Sequence, residues 1–191
     1  MRILFIYDGE WPKGATRVLK ATRTLAADGH EIVLIARNAA NAASSEEEAW
    51  MKVRRLPRLP WRPLRYALNF PFFLNPLWMW VIWRTIHHFR PNLLVACDLP
   101  LAPTAALFGK MFSTPMHFDM GEVYPEFLRS VRALERQGPL KRLIRTPKLA
   151  EWIERPVLRY AQCTYVVSEE SRERALALGV EPQRLSRRRN L

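Results

Sequence analysis

The sequence predicts a single α/β domain built around one doubly wound parallel sheet. The chain has 191 residues, which suits one domain with a substantial core and is short for two domains of ordinary size. Apolar runs typical of strands buried on both faces alternate with helical segments along the chain. The first two runs enclose a glycine-bearing loop and an amphipathic stripe, which is the pattern of a βαβ unit. These features favour a Rossmann-like sheet.

The amino-terminal βαβ unit is the clearest part of this pattern. Residues 2–7 and 31–37 are the two apolar runs, and each suits a buried strand. Between them, apolar side chains repeat with helical spacing from Thr16 onward and stop at an Asp-Gly pair that begins at Asp28. Because the crossover of a βαβ unit is right-handed and joins parallel strands, the unit predicts a parallel sheet.

The remaining segments continue the alternation. Residues 39–49 lack bulky side chains and are interpreted as a surface loop or a frayed helix. A basic segment at residues 139–161 is interpreted as helical, with breaks expected at Pro147 and Pro156. The other predicted strands lie near residues 52–56, 92–98, 115–120 and 163–168, and the other predicted helices at residues 102–111 and 169–179.

Composition limits the compartment and the partners. The formal net charge is +12, so the surface should attract phosphates, anionic lipid headgroups or nucleic acid. Cys97 and Cys163 lie far apart without the paired spacing of a zinc or redox site, and we interpret both as buried, reduced thiols. The apolar run after Arg2 is too short for a signal peptide, which predicts a cytoplasmic protein.

The chain lacks the short motifs of several enzyme classes. The first loop has Gly9 and Gly14 but no third glycine, so it lacks the fingerprint that binds a dinucleotide. Gly109 and Lys110 are followed by Met111 where a Walker phosphate loop needs Ser or Thr. The hydrolase pattern GxSxG and the zinc-protease pattern HExxH are also missing. We therefore expect no NAD, no other resident cofactor and no metal.

Polar residues follow the predicted strands at the edge where a doubly wound sheet binds its ligands. The loops at this edge open at Asp8, Asp98, Asp119 and Ser168. Asp119 and Glu122 suit paired carboxylates or metal ligands, but their three-residue separation on a loop favours turn and cap residues.

One histidine is expected at this edge. His117 is predicted at the end of a strand, where a neutral imidazole can donate or accept a hydrogen bond, and a structural role stays open for it. The other histidines, His30, His87 and His88, are interpreted as structural or solvated.

Arginine, proline and large aromatic residues are interleaved up to residue 91. A membrane span is rejected for residues 66–83, because asparagines and prolines interrupt them and a spanning helix needs about 20 apolar residues. Three interpretations stay open: an anchor at an anionic membrane surface, an aromatic helix packed on the sheet beside solvated arginines, and binding of single-stranded nucleic acid, which no RNA-binding signature supports. The arginines expected to meet lipid include Arg54 and Arg55, and the main membrane-facing candidates are Arg58, Trp61, Arg62 and Arg65.

Four segments carry a family resemblance. The opening segment contains the glycine-bearing loop and the turn GHEI at residues 29–32, and a later segment reads FRPNLLVACDLPLAPTAALFGK. The others read FDMGEVYPEF and YVVSEESRERALALGVEPQRLSRRRNL. These segments resemble the N-terminal, family 4-like domain of retaining group 1 glycosyltransferases of the GT-B fold. The resemblance extends over almost the whole chain.

This resemblance implies an acceptor-side domain over residues 1–186, with residues 187–191 beginning the interdomain linker and the donor-binding domain absent. It implies transfer of a hexose from a nucleotide-sugar to a hydroxyl of a lipid-linked or polysaccharide acceptor, without metal. The basic aromatic stretch would hold such an enzyme at the inner face of the membrane. The resemblance implies that Gly14 and Ala15 line the acceptor loop and that Asp119 and Glu122 face the cleft. Asp98 and His117 are also expected to line the cleft, because they are predicted at the same edge of the sheet.

Two departures from the family pattern bear on activity. Gly121 stands where the family often has a histidine that is understood to contact the donor sugar. The donor-binding half is not among these residues, so we expect that the polypeptide alone transfers no sugar. Two other functions stay open: a non-catalytic remnant that binds a membrane or a partner through the basic aromatic face, and a nucleotide-binding protein of another Rossmann-like family.

Overall fold

The protein forms one twisted sheet flanked by helices. The computed structural model describes residues 1–38, 43–57, 73–134 and 146–187. In these residues the strands are β1 (Arg2–Glu10), β2 (Glu31–Arg37), β3 (Ser45–Glu48), β4 (Met51–Arg55), β5 (Leu93–Cys97), β6 (Met116–Met120), β7 (Cys163–Val166) and β8 (Leu185–Arg187). The α-helices are α1 (Thr16–Ala27), α2 (Pro76–Phe89), α3 (Ala102–Met111), α4 (Tyr124–Leu134), α5 (Pro147–Tyr160) and α6 (Glu169–Ala177), and a short 3₁₀ turn at Pro182–Arg184 precedes β8.

The strand order of the sheet is β3-β4-β2-β1-β5-β6-β7-β8. Every neighbouring pair is parallel except β3 and β4, which are antiparallel. The order reverses at β1: the chain first builds outward through β2 and β4 and then returns to add β5 on the other side. This is a doubly wound sheet, so the predicted fold class is confirmed.

The central strand explains the apolar run that opens the sequence. Ile3 and Phe5 of β1 point to a smaller core shared with α1, whereas Leu4 and Ile6 point to a larger core shared with α2, α3 and α5. All four side chains are at most 2% exposed. A strand covered on both faces has no solvent side, and it therefore contains no alternating polar residues.

Helix starts follow from local hydrogen bonding. The Asn75 side chain accepts hydrogen bonds from the first backbone N–H groups of α2, and Thr146 accepts one at the start of α5. Pro147 therefore begins α5 rather than breaking a helix. Pro156 lies inside α5 without ending it, so the break expected there was wrong. The carbonyl that Pro156 leaves without its helical partner belongs to Trp152, which is 73% exposed, so water can solvate that side of the helix.

The acidic segment before β4 forms a strand, and its interpretation as a loop or frayed helix was wrong for residues 45–48. Glu46 pairs with the buried Arg55 of β4 at 2.7 Å, and Glu47 lies 3.5 Å from Lys52 of the same strand. Ion pairs between the two strands therefore stabilise β3 as an antiparallel edge strand, although its sequence has no apolar pattern. Residues 39–42 lie outside the described part of the chain.

Two smaller differences concern the second half of the chain. Helix α4 was not predicted, although Tyr124 and Leu128 are one helical turn apart and both are buried. Cys97 is buried as expected, but Cys163, the first residue of β7, is only partly buried. Neither cysteine forms a disulfide.

Candidate functional site

A polar cleft opens at the carboxyl edge of the sheet, where the loops after β1, β5 and β6 meet. Its volume is about 280 Å³. The lining residues come from β1, from these three loops and from the first turn of α1, and they are Tyr7, Gly14, Ala15, Arg17, Val18, Asp98, Gly121 and Glu122. This is the position at which the topology of a doubly wound sheet places a ligand, beside the strand where the order reverses.

The parallel register brings two aspartates together. Cys97, the last residue of β5, is paired with Asp119 of β6, and the backbone N–H of Asp98 donates to the Asp119 carbonyl oxygen at 3.0 Å. Asp98 has a φ of 67°, in the left-handed region that aspartate tolerates better than most residues. This conformation turns its carboxylate to accept a hydrogen bond from the backbone N–H of Gly121 at 3.0 Å. The loops after β5 and β6 are thereby joined.

Arg17 joins both aspartates to α1. Its Nη2 atom lies 2.8 Å from Oδ2 of Asp98, and its Nε atom lies 3.1 Å from Oδ2 of Asp119. The Asp119 side chain is 2% exposed, whereas those of Arg17 and Asp98 are about one-quarter exposed. Arg17 therefore supplies the opposite charge that a buried carboxylate such as Asp119 requires.

The absence of a side chain at Gly121 makes room for this arginine. A Cβ atom built on Gly121 would lie 1.2 Å from Nη1 of Arg17 and 2.2 Å from its Cζ. The Arg17 guanidinium thus occupies the space into which a side chain at position 121 would project. Any larger residue at 121 must displace it.

The ionisable groups of the cleft influence one another. Desolvation and the charge of Asp98 raise the pKa of Glu122, and Arg17 partly offsets this. Burial would lower the pKa of Arg17, but Asp119 and Asp98 outweigh it and the pKa is raised. Burial and then Asp98 raise the pKa of Tyr7, so its phenol stays neutral at physiological pH. The cleft therefore presents a neutral hydroxyl, carboxylates and an arginine that is already ion-paired.

The loop that carries Gly14 is held by a buried tryptophan. Trp11 is 1% exposed, and its indole N–H donates to the Glu48 carboxylate of β3. The Trp11 carbonyl oxygen accepts from Nη2 of Arg55 at 3.5 Å. Gly14 has a φ of 71°, which favours glycine at the turn into α1. The antiparallel edge of the sheet thus fixes one wall of the cleft.

The predicted site residues divide into two groups. Gly14, Ala15, Asp98 and Glu122 line the cleft, and Asp119 lies beneath it in contact with Arg17. His117 does not line it: it is the second residue of β6 rather than a residue at its end, and its Nδ1 atom lies 3.1 Å from the Tyr165 hydroxyl. Burial lowers the pKa of His117.

The other two predicted loop openings have local roles. Asp8 lies 2.5 Å from Arg37 of β2, which joins β1 to its neighbour. The Ser168 hydroxyl accepts a hydrogen bond from the backbone N–H of Ser171 and caps α6.

Sequence reasoning missed Tyr7, Arg17 and Val18 as lining residues. Arg17 left a detectable signal: it lies in the first turn of α1, which has no acidic residue, although a cation there faces the positive end of the helix dipole. Such an arginine indicates acidic partners elsewhere in the fold. Tyr7 and Val18 gave no signal beyond a strand and a helix pattern.

Within the described ranges no three His, Cys, Asp or Glu side chains are grouped so that they could hold a metal ion, and no helix is long and apolar enough to cross a membrane. Arg55, which was expected to meet lipid, is instead buried at the sheet edge, because Glu46 and two backbone carbonyl oxygens bind it. The candidates Arg58, Trp61, Arg62 and Arg65 lie outside the described residues.

The chain resembles solved glycosyltransferase structures. Sucrose-phosphate synthase from Thermosynechococcus elongatus shares 15% identity at a TM-score of 0.68, with 98% of this chain and 47% of that one covered. The lipopolysaccharide outer core galactosyltransferase WaaB shares 16% identity at a TM-score of 0.56, with 97% of this chain and 44% of that one covered. Anabaena HepE, solved in complex with UDP and glucose, shares 15% identity at a TM-score of 0.51, with 98% of this chain and 44% of that one covered. The chain thus spans less than half of each.

At such low identity these structures establish the fold alone, which is that of one half of a GT-B enzyme. No curated protein matches the chain by sequence. Residues 14–190, however, match the family described as the glycosyl transferase 4-like domain. The match covers most of the chain and includes every residue that lines the cleft except Tyr7. The chain therefore belongs to the glycosyl transferase 4-like domain family.

Proposed function

We propose that residues 1–186 are the acceptor-side domain of a glycosyltransferase and that residues 187–191 begin the linker to a donor-binding domain. The reaction moves a hexose from a nucleotide-sugar to a hydroxyl of a lipid-linked or polysaccharide acceptor. The observation that carries the proposal is the polar cleft of Asp98, Arg17 and Glu122 at the ligand-binding edge of the sheet. The family match supports the transfer chemistry. The resemblance of the four sequence segments supports a retaining, metal-independent course.

The nucleotide-sugar is assigned to the second domain. A diphosphate needs cationic or backbone N–H donors, and the first loop lacks the glycine fingerprint that supplies the latter. Among the described residues that line the cleft, the single cation is Arg17, which two aspartates already bind. A cleft between two domains also needs its second wall to exclude water. We therefore expect no sugar transfer by residues 1–191 alone.

Calorimetry tests this assignment. Titration of the 191-residue chain with UDP-glucose, and separately with NAD, is expected to give no saturable heat up to millimolar ligand. Tight binding of UDP-glucose would contradict the assignment of the donor to a second domain. Tight binding of NAD would favour a nucleotide-binding protein of another Rossmann-like family.

The second candidate function is docking of this domain on a membrane. The domain would either hold the enzyme at the inner face of the membrane or bind the membrane as the sole role of a non-catalytic protein. Trp80 and Trp83 of α2 are 48% and 44% exposed. The Arg84 guanidinium lies 5.5 Å from the Trp80 ring centre, so this face combines aromatic and cationic groups. Tryptophan suits the headgroup region of a bilayer, and arginine is attracted to anionic lipid.

Vesicle flotation tests this docking surface. Arg84→Gln is expected to weaken binding to anionic vesicles about fivefold, because one basic residue near such a surface contributes about 1 kcal/mol. Binding to neutral vesicles should not change. Arg23→Gln is the matched control, since Arg23 also stacks on a tryptophan, Trp50, but belongs to α1 on the opposite face of the sheet. Equal flotation of the unmodified chain with neutral and anionic vesicles would refute the electrostatic part.

A further inference from the structure

The charge of the cleft is opposite to that of the protein. The whole chain carries a formal charge of +12. Among the residues that the structure describes, however, the cleft is lined by the carboxylates of Asp98 and Glu122 and by one cation, Arg17, with the Asp119 carboxylate directly beneath. When all these groups are ionised, negative charge predominates there. A ligand drawn to the basic surface and a ligand that enters the cleft must therefore differ in chemistry.

Arg17 is poorly placed to reverse this balance. Its guanidinium points at two aspartate oxygens at 2.8 and 3.1 Å. It also lies within the space of a side chain at position 121, so the Gly121 backbone packs directly against it. If the guanidinium turned from these carboxylates toward an anionic ligand, the buried Asp119 carboxylate would lose its ion pair with Arg17.

The amino terminus of α1 favours an anion at the same place. Its partial positive charge can be compared with the negative charge of the carboxylates. A helix terminus is equivalent to roughly half of one positive charge. Three carboxylates against one guanidinium leave an excess of two negative charges when Glu122 is ionised. The carboxylates therefore outweigh the helix terminus.

We propose that this cleft selects an acceptor whose reacting hydroxyl lies on an uncharged sugar, without a phosphate or carboxylate on that ring, and that Arg17 and Gly121 together set this selectivity. The inference rests on the proposed function and specifies its acceptor. Sugar hydroxyls donate hydrogen bonds to carboxylates such as Asp98 and Glu122, whereas phosphate oxygens only accept and are repelled by them. Because Arg17 is bound by aspartates, it acts as a specificity-determining residue rather than as an anion receptor.

The test is a nuclear magnetic resonance titration of the ¹⁵N-labelled 191-residue chain. The probes are the methyl glycosides of glucose, galactose and mannose, each compared with its own 6-phosphate. At least one glycoside is expected to shift the amide signals of Gly14, Ala15 and Gly121. Its 6-phosphate should bind there about tenfold more weakly or not at all, which corresponds to about 1.4 kcal/mol.

The outcomes separate the inference from the proposed function. A 6-phosphate that shifts the same amides with equal or higher affinity would overturn the selectivity and leave the acceptor-side role intact. If no glycoside and no phosphate shifts these amides, the acceptor-side role itself is refuted, and the inference fails with it.

Asp98→Asn tests the electrostatic cause. Asparagine keeps the size of the side chain and tolerates a left-handed backbone, so the variant should fold. Loss of one carboxylate should narrow the affinity gap between glycoside and phosphate several-fold. Glu126→Gln is the control, because Glu126 is an exposed acid of α4 that does not line the cleft. Equal effects of the two variants would contradict the proposal.

Gly121→Ala tests the shared space. Gly121→Ala is expected to lower the Tm of the unmodified chain. In an Arg17→Gln background, where no guanidinium remains to be displaced, the same substitution should lower Tm by at most half as much. Lys20→Gln, which removes an exposed charge of the same helix, should leave the effect of Gly121→Ala unchanged. The same loss of Tm in all three backgrounds would show that the two residues do not compete for one space.

Discussion

Trp11→Ala is expected to lower the free energy of unfolding by about 3–5 kcal/mol, the range for truncation of a large buried aromatic side chain. Trp11 is 1% exposed and packs in the smaller core with Ala15 and Val18. Its removal leaves a cavity and takes the indole donor from Glu48. Urea denaturation of the 191-residue chain measures the loss.

The same variant should also affect the cleft, because Trp11 holds the loop that carries Gly14. We expect the amide signals of Gly14 and Ala15 to shift or broaden even where the protein stays folded. Trp152→Ala is the control: its side chain is 73% exposed, and its loss should cost no more than about 0.5 kcal/mol. Similar destabilisation by both variants would show that Trp11 is not a core residue.

Arg174→Ala is expected to cost about 3–5 kcal/mol, the range for removing one partner of a buried ion pair. Glu154 of α5 is 1% exposed, and both Nε and Nη2 of Arg174 of α6 donate to its Oε2 atom, at 3.1 and 2.8 Å. Arg172→Ala breaks the exposed pair with Glu169 on the same helix and should cost at most about 1 kcal/mol. Urea denaturation compares the two.

The pH dependence of the Arg174→Ala variant identifies the cause. Burial raises the pKa of Glu154, and Arg174 partly offsets this, so the pKa should rise further without Arg174. A carboxyl group whose pKa is higher in the folded than in the unfolded protein stabilises the fold when it is protonated, and this contribution is lost as pH increases through the raised pKa. The destabilisation should therefore be smaller at about pH 5 than at about pH 8. A loss that does not change with pH would indicate lost packing instead.

The helices and strands that were predicted correctly have local signals. The apolar run at β2 and the helical stripe at α1 each lie within one segment of the chain, and burial in a parallel sheet imposes those patterns directly. Edge strand β3 shows the opposite case. Its segment was interpreted as a loop or frayed helix, because the arginine and lysine that pair with its glutamates lie on another strand, β4.

The α/β class, the parallel sheet and the placement of Asp98 at its carboxyl edge follow from the amino-acid pattern, since hydrophobic periodicity indicates where strands end and βαβ connections are right-handed. Three features follow from the folded arrangement alone: Arg17 joins Asp98 to Asp119, Gly121 makes room for Arg17, and His117 lies away from the cleft. Arg17 and Asp98 are 81 positions apart. The charge of the cleft depends on such distant pairs, and no periodicity within one segment records which side chains meet.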